Sequence, residues 1–243
     1  MSERLDGRVG LITGAGRGIG AAIAREVAGL GAKLALVDLS LDGSQAVAEQ
    51  LGRASGEAIA LAADVRHFLE LAAARDRCLE RFGRIDFVVA NAGIGDTSSM
   101  SEGDPERWRA VVETNVLGVA YTVRAVLPVF LRQGDGHVIL IASVSGRESY
   151  VGEPIYVASK WAVVGLGHAL RKETVGTGVR VTLIEPGVVD TPLARANVFA
   201  QKMFETITPL QDADIAQAVA FALTRPQHMA INELVVRPVG QEV

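Results

Sequence analysis

The sequence predicts an α/β fold, a single Rossmann-type doubly wound parallel sheet of about seven strands with helices on both faces. Short runs apolar on both faces recur along the chain, as in Leu34-Ala35-Leu36-Val37 and Val138-Ile139-Leu140-Ile141. That is the pattern of parallel strands covered from two sides. Longer stretches of helical periodicity separate these runs, and such alternation calls for right-handed crossovers. The composition, 49% hydrophobic and 21% charged over 243 residues, supplies the core such a sheet needs and fits one domain over 1–243.

In chain order the strands are read at 9–13, 33–38, 58–62, 86–90, 137–142, 180–185 and 234–237, and the helices at 18–30, 43–52, 68–82, 105–132, 154–174 and 212–223. No repeat or low-complexity segment interrupts them. Two loops stand apart. Residues 93–103 are rich in Gly and Ser, and a segment of about 187–210 turns weakly helical. Both follow strands, and ligands of open α/β sheets lie beyond the carboxyl ends of the strands. The second loop is the candidate substrate lid.

Several function classes fall away. A net charge of −4 gives no reason to expect nucleic-acid binding. No run of about 18 uncharged apolar residues suggests a membrane span. Glu3, Arg4, Asp6 and Arg8 leave no room for a signal peptide ahead of the first strand. Cys78, the one cysteine, excludes an internal disulfide and reads as a buried, inert thiol in a helix. A cytoplasmic protein is the expectation. His67, His137, His168 and His228 show no metal-ligand spacing, and no metal is expected.

The turn Thr13-Gly14-Ala15-Gly16-Arg17-Gly18-Ile19-Gly20 joins the first strand to the first helix. Glycines there let backbone N–H groups approach a pyrophosphate at a helix N-terminus. A glycine-rich turn alone is a weak signal; here the strand–turn–helix context and the acidic Asp38 strengthen it. A carboxylate at Asp38 would accept hydrogen bonds from the ribose hydroxyls of NAD and repel the extra phosphate of NADP. Arg17 pulls the other way, toward a 2′-phosphate or an ion pair with Asp38. NAD is favoured, with NADP the alternative.

Tyr156 and Lys160, four residues apart, share one helix face. Carbonyl reduction needs a proton donor beside the hydride acceptor, and an ammonium next to a phenol favours the phenolate for the reverse reaction. Ser143 follows an apolar strand, and Asn115 is an amide inside an apolar helical stretch. Each of these alone has an ordinary structural reading as a satisfied polar group or surface pair.

Taken in order, Thr13-Gly14-x-x-x-Gly18-x-Gly20, Asp64-Val65, Asn91-Ala92-Gly93, Asn115, Ser143, Tyr156-x-x-x-Lys160 and Pro186-Gly187 resemble the short-chain dehydrogenase/reductase family. The resemblance implies an oxidoreductase acting on CH–OH that interconverts a secondary alcohol, hydroxy acid or polyol and its carbonyl. It implies that Tyr156 is the general acid/base and that Lys160 lowers its pKa and holds the nicotinamide ribose. Ser143 would orient the carbonyl, and Asn115 would support a water-linked proton path to Lys160. Gly14, Arg17, Gly18, Ile19 and Gly20 would hold the pyrophosphate side, with Asp38 on the ribose. Asp64 and Val65 would meet the adenine, and Asn91, Ala92 and Gly93 would line the cofactor. Pro186, Gly187, Val189 and Thr191 would surround the nicotinamide carboxamide. A small-molecule partner and a homotetramer, or a homodimer, are implied as well.

The ending, from Arg225 to Pro238, with Ile184-Glu185-Pro186-Gly187, resembles the branch of serine-type hydroxy-acid dehydrogenases and the clavulanate-type reductase. Members of that branch generally use NADP, against Asp38 here. Arg147 reads either as an anchor for a substrate carboxylate or as a salt-bridge partner of Glu148 or Glu153. A catalytically silent dinucleotide-binding regulator of the same fold is the rival class.

Overall fold

The computed structural model describes residues 4–54 and 56–242, so Glu3, part of the leader argument, lies outside them. Seven strands form one parallel sheet in the order β3-β2-β1-β4-β5-β6-β7. They are β1 (Val9–Thr13), β2 (Lys33–Asp38), β3 (Ala58–Ala62), β4 (Phe87–Ala90), β5 (Gly136–Ile141), β6 (Val179–Pro186) and β7 (Glu233–Val236). The order reverses between β1 and β4, and at such a switch point the connections leave toward opposite sides, which opens a crevice beyond the carboxyl ends of the strands.

The helices are α1 (Gly18–Gly29), α2 (Leu41–Arg53), α3 (Phe68–Phe82), α4 (Pro105–Val112), α5 (Gly118–Gln133), α6 (Pro154–Glu173), α7 (Pro192–Arg195), α8 (Val198–Phe204) and α9 (Asp212–Leu223). They bury two apolar layers. One, around Val88, Val126, Phe130, Leu140 and Val163, lies under α3, α5 and α6. The other, around Ile12, Ile23, Leu36, Ile139 and Ile215, lies under α1, α2 and α9. Cys78 is fully buried in the first layer, where burial pushes its thiol up to about 12. An unreactive core residue follows.

Several ends shift from the sequence reading by one or two residues, and two departures bear on the rest of the molecule. The fourth strand runs from Phe87, although Asp86 N already donates to Val9 O at 2.7 Å and Asp86 O accepts from His137 N at 3.0 Å; the Asp86 carboxylate accepts from Val9 N at 2.8 Å and pairs with Arg8 and Arg84. The stretch 105–132 is not one α-helix: a π-turn, Glu113–Leu117, separates α4 from α5. By length and apolar composition Pro105–Gln133 would also pass for a membrane span. Its buried side, with Val119, Val123, Val126 and Phe130, packs into the core beneath the sheet.

Candidate active site

The carboxyl ends of β1 to β6 gather most of the predicted residues. At β1 the chain turns at Gly14 (φ 65°) and Gly18 (φ 54°), left-handed values that favour glycine. A Cβ on Gly20 would run into the Gly14 carbonyl, so α1 enters the turn at a contact no side chain allows. No side chain caps α1 and no acidic residue sits in its first turn. Its leading N–H groups and positive dipole end are therefore left for an anion. This cradle fits a dinucleotide pyrophosphate.

Asn91 braces the turn from β4: its Nδ2 donates to the carbonyls of Thr13 (2.9 Å) and Gly14 (3.1 Å), while Thr13 Oγ1 accepts from the backbone N–H groups of Asn91 and Ala92. At the end of β2, Asp38 Oδ2 accepts from Gly16 N at 2.8 Å and Oδ1 from Ser40 N at 3.0 Å. Each oxygen keeps a lone pair for a ribose hydroxyl. Arg17 forms no ion pair with Asp38 among the described residues. Beyond β3, Asp64 is held by Arg66, which keeps its carboxyl below the usual range, and Val65 is buried against Gly118. Beyond β6, Gly187 N donates to Val236 O at 2.7 Å. Val189 and Thr191 are buried where the lid leaves the sheet, and Thr191 and Pro192 lie beside Gly18. Ile19 is half-buried at the head of α1, and Gly93 lies close to Asn115 Oδ1.

The π-turn explains Asn115. One extra residue in the helical turn bulges the chain, and the amide there clamps the loop after β4. Its Oδ1 accepts from Ile94 N at 2.9 Å, and its Nδ2 donates to Ile94 O at 2.9 Å and Ser159 Oγ at 3.1 Å. Ser159 Oγ in turn donates to Tyr156 O at 2.7 Å. Both amide hydrogens are thus committed, so a water path at Asn115 would run through its oxygens. Ser159, which joins Asn115 to the helix carrying Tyr156 and Lys160, was not singled out from the sequence. Its only signal there is a small polar residue inside Tyr-x-x-x-Lys.

Ser143 caps a short 3₁₀ turn after β5; its Oγ accepts from Ser145 N at 3.1 Å and lies beside the Tyr156 phenol. Lys160 Nζ sits 5.6 Å from the Tyr156 ring centroid and donates to Ile141 O at 3.2 Å. Ser143, Tyr156 and Lys160 therefore share one corner of the crevice. The electrostatics differ from the sequence expectation. Burial pushes the Tyr156 phenol up to about 12; the Ser143 hydroxyl opposes this and Glu153 adds to it. Burial also brings Lys160 down to about 8. In the chain by itself desolvation dominates both groups, and Lys160 has no carboxylate partner among the described residues to hold its charge. At neutral pH the phenol holds its proton, the form that carbonyl reduction requires.

Arg147 is not a carboxylate anchor. Its guanidinium is bound by the fully buried Glu185 on β6 and by Glu233 on β7, which also accepts from His168. Neither Glu148 nor Glu153 is its partner, and it faces the outer strands. Among the described residues no group of three His, Cys, Asp or Glu side chains is placed to hold a metal.

Residues 8–202 match the short chain dehydrogenase profile, and the chain belongs to that family. It is 39% identical over 236 residues to an uncharacterized oxidoreductase of Staphylococcus saprophyticus, covering 97% of this chain and 99% of the relative. Among solved structures, it is similar to an alcohol dehydrogenase from Thermococcus sibiricus complexed with 5-hydroxy-NADP (33% identity, TM-score 0.87, covering 97% of this chain and 98% of that one). It is also similar to a 3-ketoacyl-(acyl-carrier-protein) reductase from Brucella melitensis complexed with NADH (32%, TM-score 0.88, 95% and 97%). The protein is an oxidoreductase of this family whose neighbours bind nicotinamide dinucleotides.

Proposed function

We propose that the protein interconverts a secondary alcohol and its carbonyl with NAD, Tyr156 serving as the general acid/base. The observation that carries this reading is the shared corner of Ser143, Tyr156 and Lys160 beside an uncapped, glycine-lined helix N-terminus. The dinucleotide supplies the hydride acceptor for oxidation and the donor for reduction. Gly14, Arg17, Gly18, Ile19 and Gly20 would hold its phosphates, Asp64 and Val65 would meet the adenine, and Asn91, Ala92 and Gly93 would line the dinucleotide beside β4. Pro186, Gly187, Val189 and Thr191 receive the carboxamide end, and Lys160 binds the ribose.

In reduction the Ser143 hydroxyl donates to the substrate carbonyl oxygen, and Tyr156 passes its phenolic proton to that oxygen as negative charge develops there. In oxidation the phenolate removes the hydroxyl proton. A phenol at about 12 makes that direction slow until positive charge arrives beside it. In the protein without dinucleotide, the tyrosinate absorbance lost in Tyr156→Phe should titrate near pH 12, above the ordinary tyrosine value of about 10. A midpoint below the ordinary value would show that Lys160 alone tunes the phenol.

Asp38 supports NAD over NADP, since a carboxylate facing Gly16 would meet a 2′-phosphate as a like charge. Wild type should favour NAD in kcat/KM, and Asp38→Asn should shrink the ratio by about tenfold. An NADP preference in wild type would overturn the assignment. A homotetramer in the cytoplasm completes the reading; half-exposed Trp161 on α6 and Leu131 on α5 are apolar faces suited to a second copy. Sedimentation as a monomer would rule that assembly out.

A further inference from the structure

At the amino ends of the strands, the opposite edge of the sheet from the crevice, lies a cavity of about 210 Å³. Arg8, Phe87, His137, Arg180, Leu223 and Arg225 line it. The strand register pairs Phe87 with His137 and His137 with Arg180, so these three stand side by side on the face that α9 covers. Phe87 and Leu223 are buried and make part of the wall apolar.

His137 is 2% exposed, and its tautomer follows from its partners. The Thr182 hydroxyl gives its single hydrogen to Ile231 O at 2.5 Å, so it accepts at its 2.8 Å contact with His137 Nε2. Nε2 therefore carries the ring hydrogen. Burial and the charge of Arg180 hold the ring well below the usual histidine range, so it is neutral and Nδ1 is an acceptor. No donor among the described residues reaches that buried atom, and the buried Nε of Arg180 lacks an acceptor in the same way. Buried polar atoms of this kind are rare and call for a partner.

The charges around the cavity do not balance. Arg8 engages both nearby carboxylates, Asp135 at 2.7 Å and Asp86 at 3.1 Å, and Arg84 shares Asp86. Arg180 donates to the carbonyls of Arg225 and Met229. Arg225 donates to Phe221 O and the Thr224 hydroxyl, with its guanidinium over the Phe221 ring. No ion pair among the described residues includes either of these two arginines. Burial lowers the Arg180 guanidinium; Asp135 opposes the change and Arg8 adds to it.

We propose that this cavity binds a small oxyanion that keeps a hydroxyl, with hydrogen phosphate the simplest case. Its charged oxygens accept from Arg180 Nε and the Arg225 guanidinium, and its hydroxyl donates to His137 Nδ1. A water molecule would satisfy both orphaned atoms but leave two guanidinium charges unmatched. A fully deprotonated oxyanion would match the charges but turn only lone pairs toward Nδ1. The site is separate from the crevice, and nothing in it depends on the alcohol–carbonyl reading.

The test follows the ring-nitrogen NMR signals of the histidines while phosphate, sulfate, lactate and propionate are added in turn. Saturating dinucleotide keeps the head of α1 occupied, since it also attracts anions. The ring of residue 137 is the one that stays neutral as the pH falls through the usual histidine range. Sulfate has the shape of phosphate without its hydrogen at neutral pH, and propionate lacks the hydroxyl of lactate. Phosphate should shift the Nδ1 signal and bind about tenfold or more tightly than sulfate, the difference one buried hydrogen bond makes. Lactate should lead propionate in the same sense, and the tighter of phosphate and lactate names the class of the natural ligand. Arg180→Gln keeps an amide donor and removes the charge, so it should weaken phosphate by about tenfold or more with dinucleotide affinity unchanged. A signal unmoved by every oxyanion means that water alone fills the cavity, and equal binding of phosphate and sulfate means an adventitious ion only. Either result in the wild type overturns the proposal, as does unchanged phosphate affinity in Arg180→Gln.

Discussion

Tyr156→Phe should lower kcat by about 10²–10⁴-fold while dinucleotide affinity stays within about twofold. The substitution removes one hydroxyl and keeps the ring that lies beside Lys160 Nζ. The Asn115–Ser159 link reaches residue 156 through its backbone carbonyl, so the start of α6 should stay in place. What is lost is the proton that neutralises the developing alkoxide, a cost met only in the transition state. Stopped-flow traces with dinucleotide fluorescence separate the two quantities. Near-normal turnover in the variant would remove Tyr156 from the mechanism. Equal loss of binding and turnover would make it a binding residue.

Lys160→Met should abolish most turnover and stabilise the fold. Lys160 is 8% exposed, has no carboxylate partner among the described residues, and burial takes its ammonium from the ordinary lysine value down to about 8. That shift corresponds to about 3 kcal/mol of destabilisation at neutral pH. The sign follows from proton counts. Between about 8 and the ordinary lysine range, the unfolded chain binds more protons than the folded one, so wild-type stability rises with pH there. A methionine of similar length removes the charge but leaves the Ile141 carbonyl without its donor, which takes back about 1 kcal/mol. The net gain of about 2 kcal/mol should appear at neutral pH as a Tm increase of about 4–8 °C, and fade as the pH approaches the ordinary lysine value. A lowered Tm at neutral pH would mean that the Ile141 bond outweighs the burial of charge. The predicted combination, a more stable and inactive enzyme, marks Lys160 as held in place for chemistry.

Most strands were legible because both their faces are apolar, which periodicity reports directly. The π-turn was not. Its extra residue leaves the apolar spacing of 105–132 nearly continuous, and the only trace in the sequence is Asn115 itself, a polar side chain where a core helix should have none. Spacing also carried Tyr156 and Lys160 to one helix face, but not their ionisation. That depends on how much of each is covered by α6, the loop after β5 and the lid, and this coverage comes from residues far apart in the chain. Arg147 illustrates the same limit. Sequence neighbours offered Glu148 and Glu153 as partners, whereas the sheet supplies Glu185 and Glu233 from β6 and β7. Asn197 went unnoticed for the same reason, since a loop asparagine reaches Glu153 at the start of α6 only when the lid folds over it.

The most direct test of the central claim is turnover itself. Purified protein is mixed with NAD or NADP and a panel of secondary alcohols, amino alcohols and hydroxy acids, and with the reduced dinucleotides and the matching carbonyls, and nicotinamide absorbance is followed. The expected result is substrate-dependent hydride transfer, faster with NAD than NADP, that collapses in Tyr156→Phe. Tight dinucleotide binding with no turnover across the panel would contradict it and make the protein a silent dinucleotide-binding regulator built on the same fold.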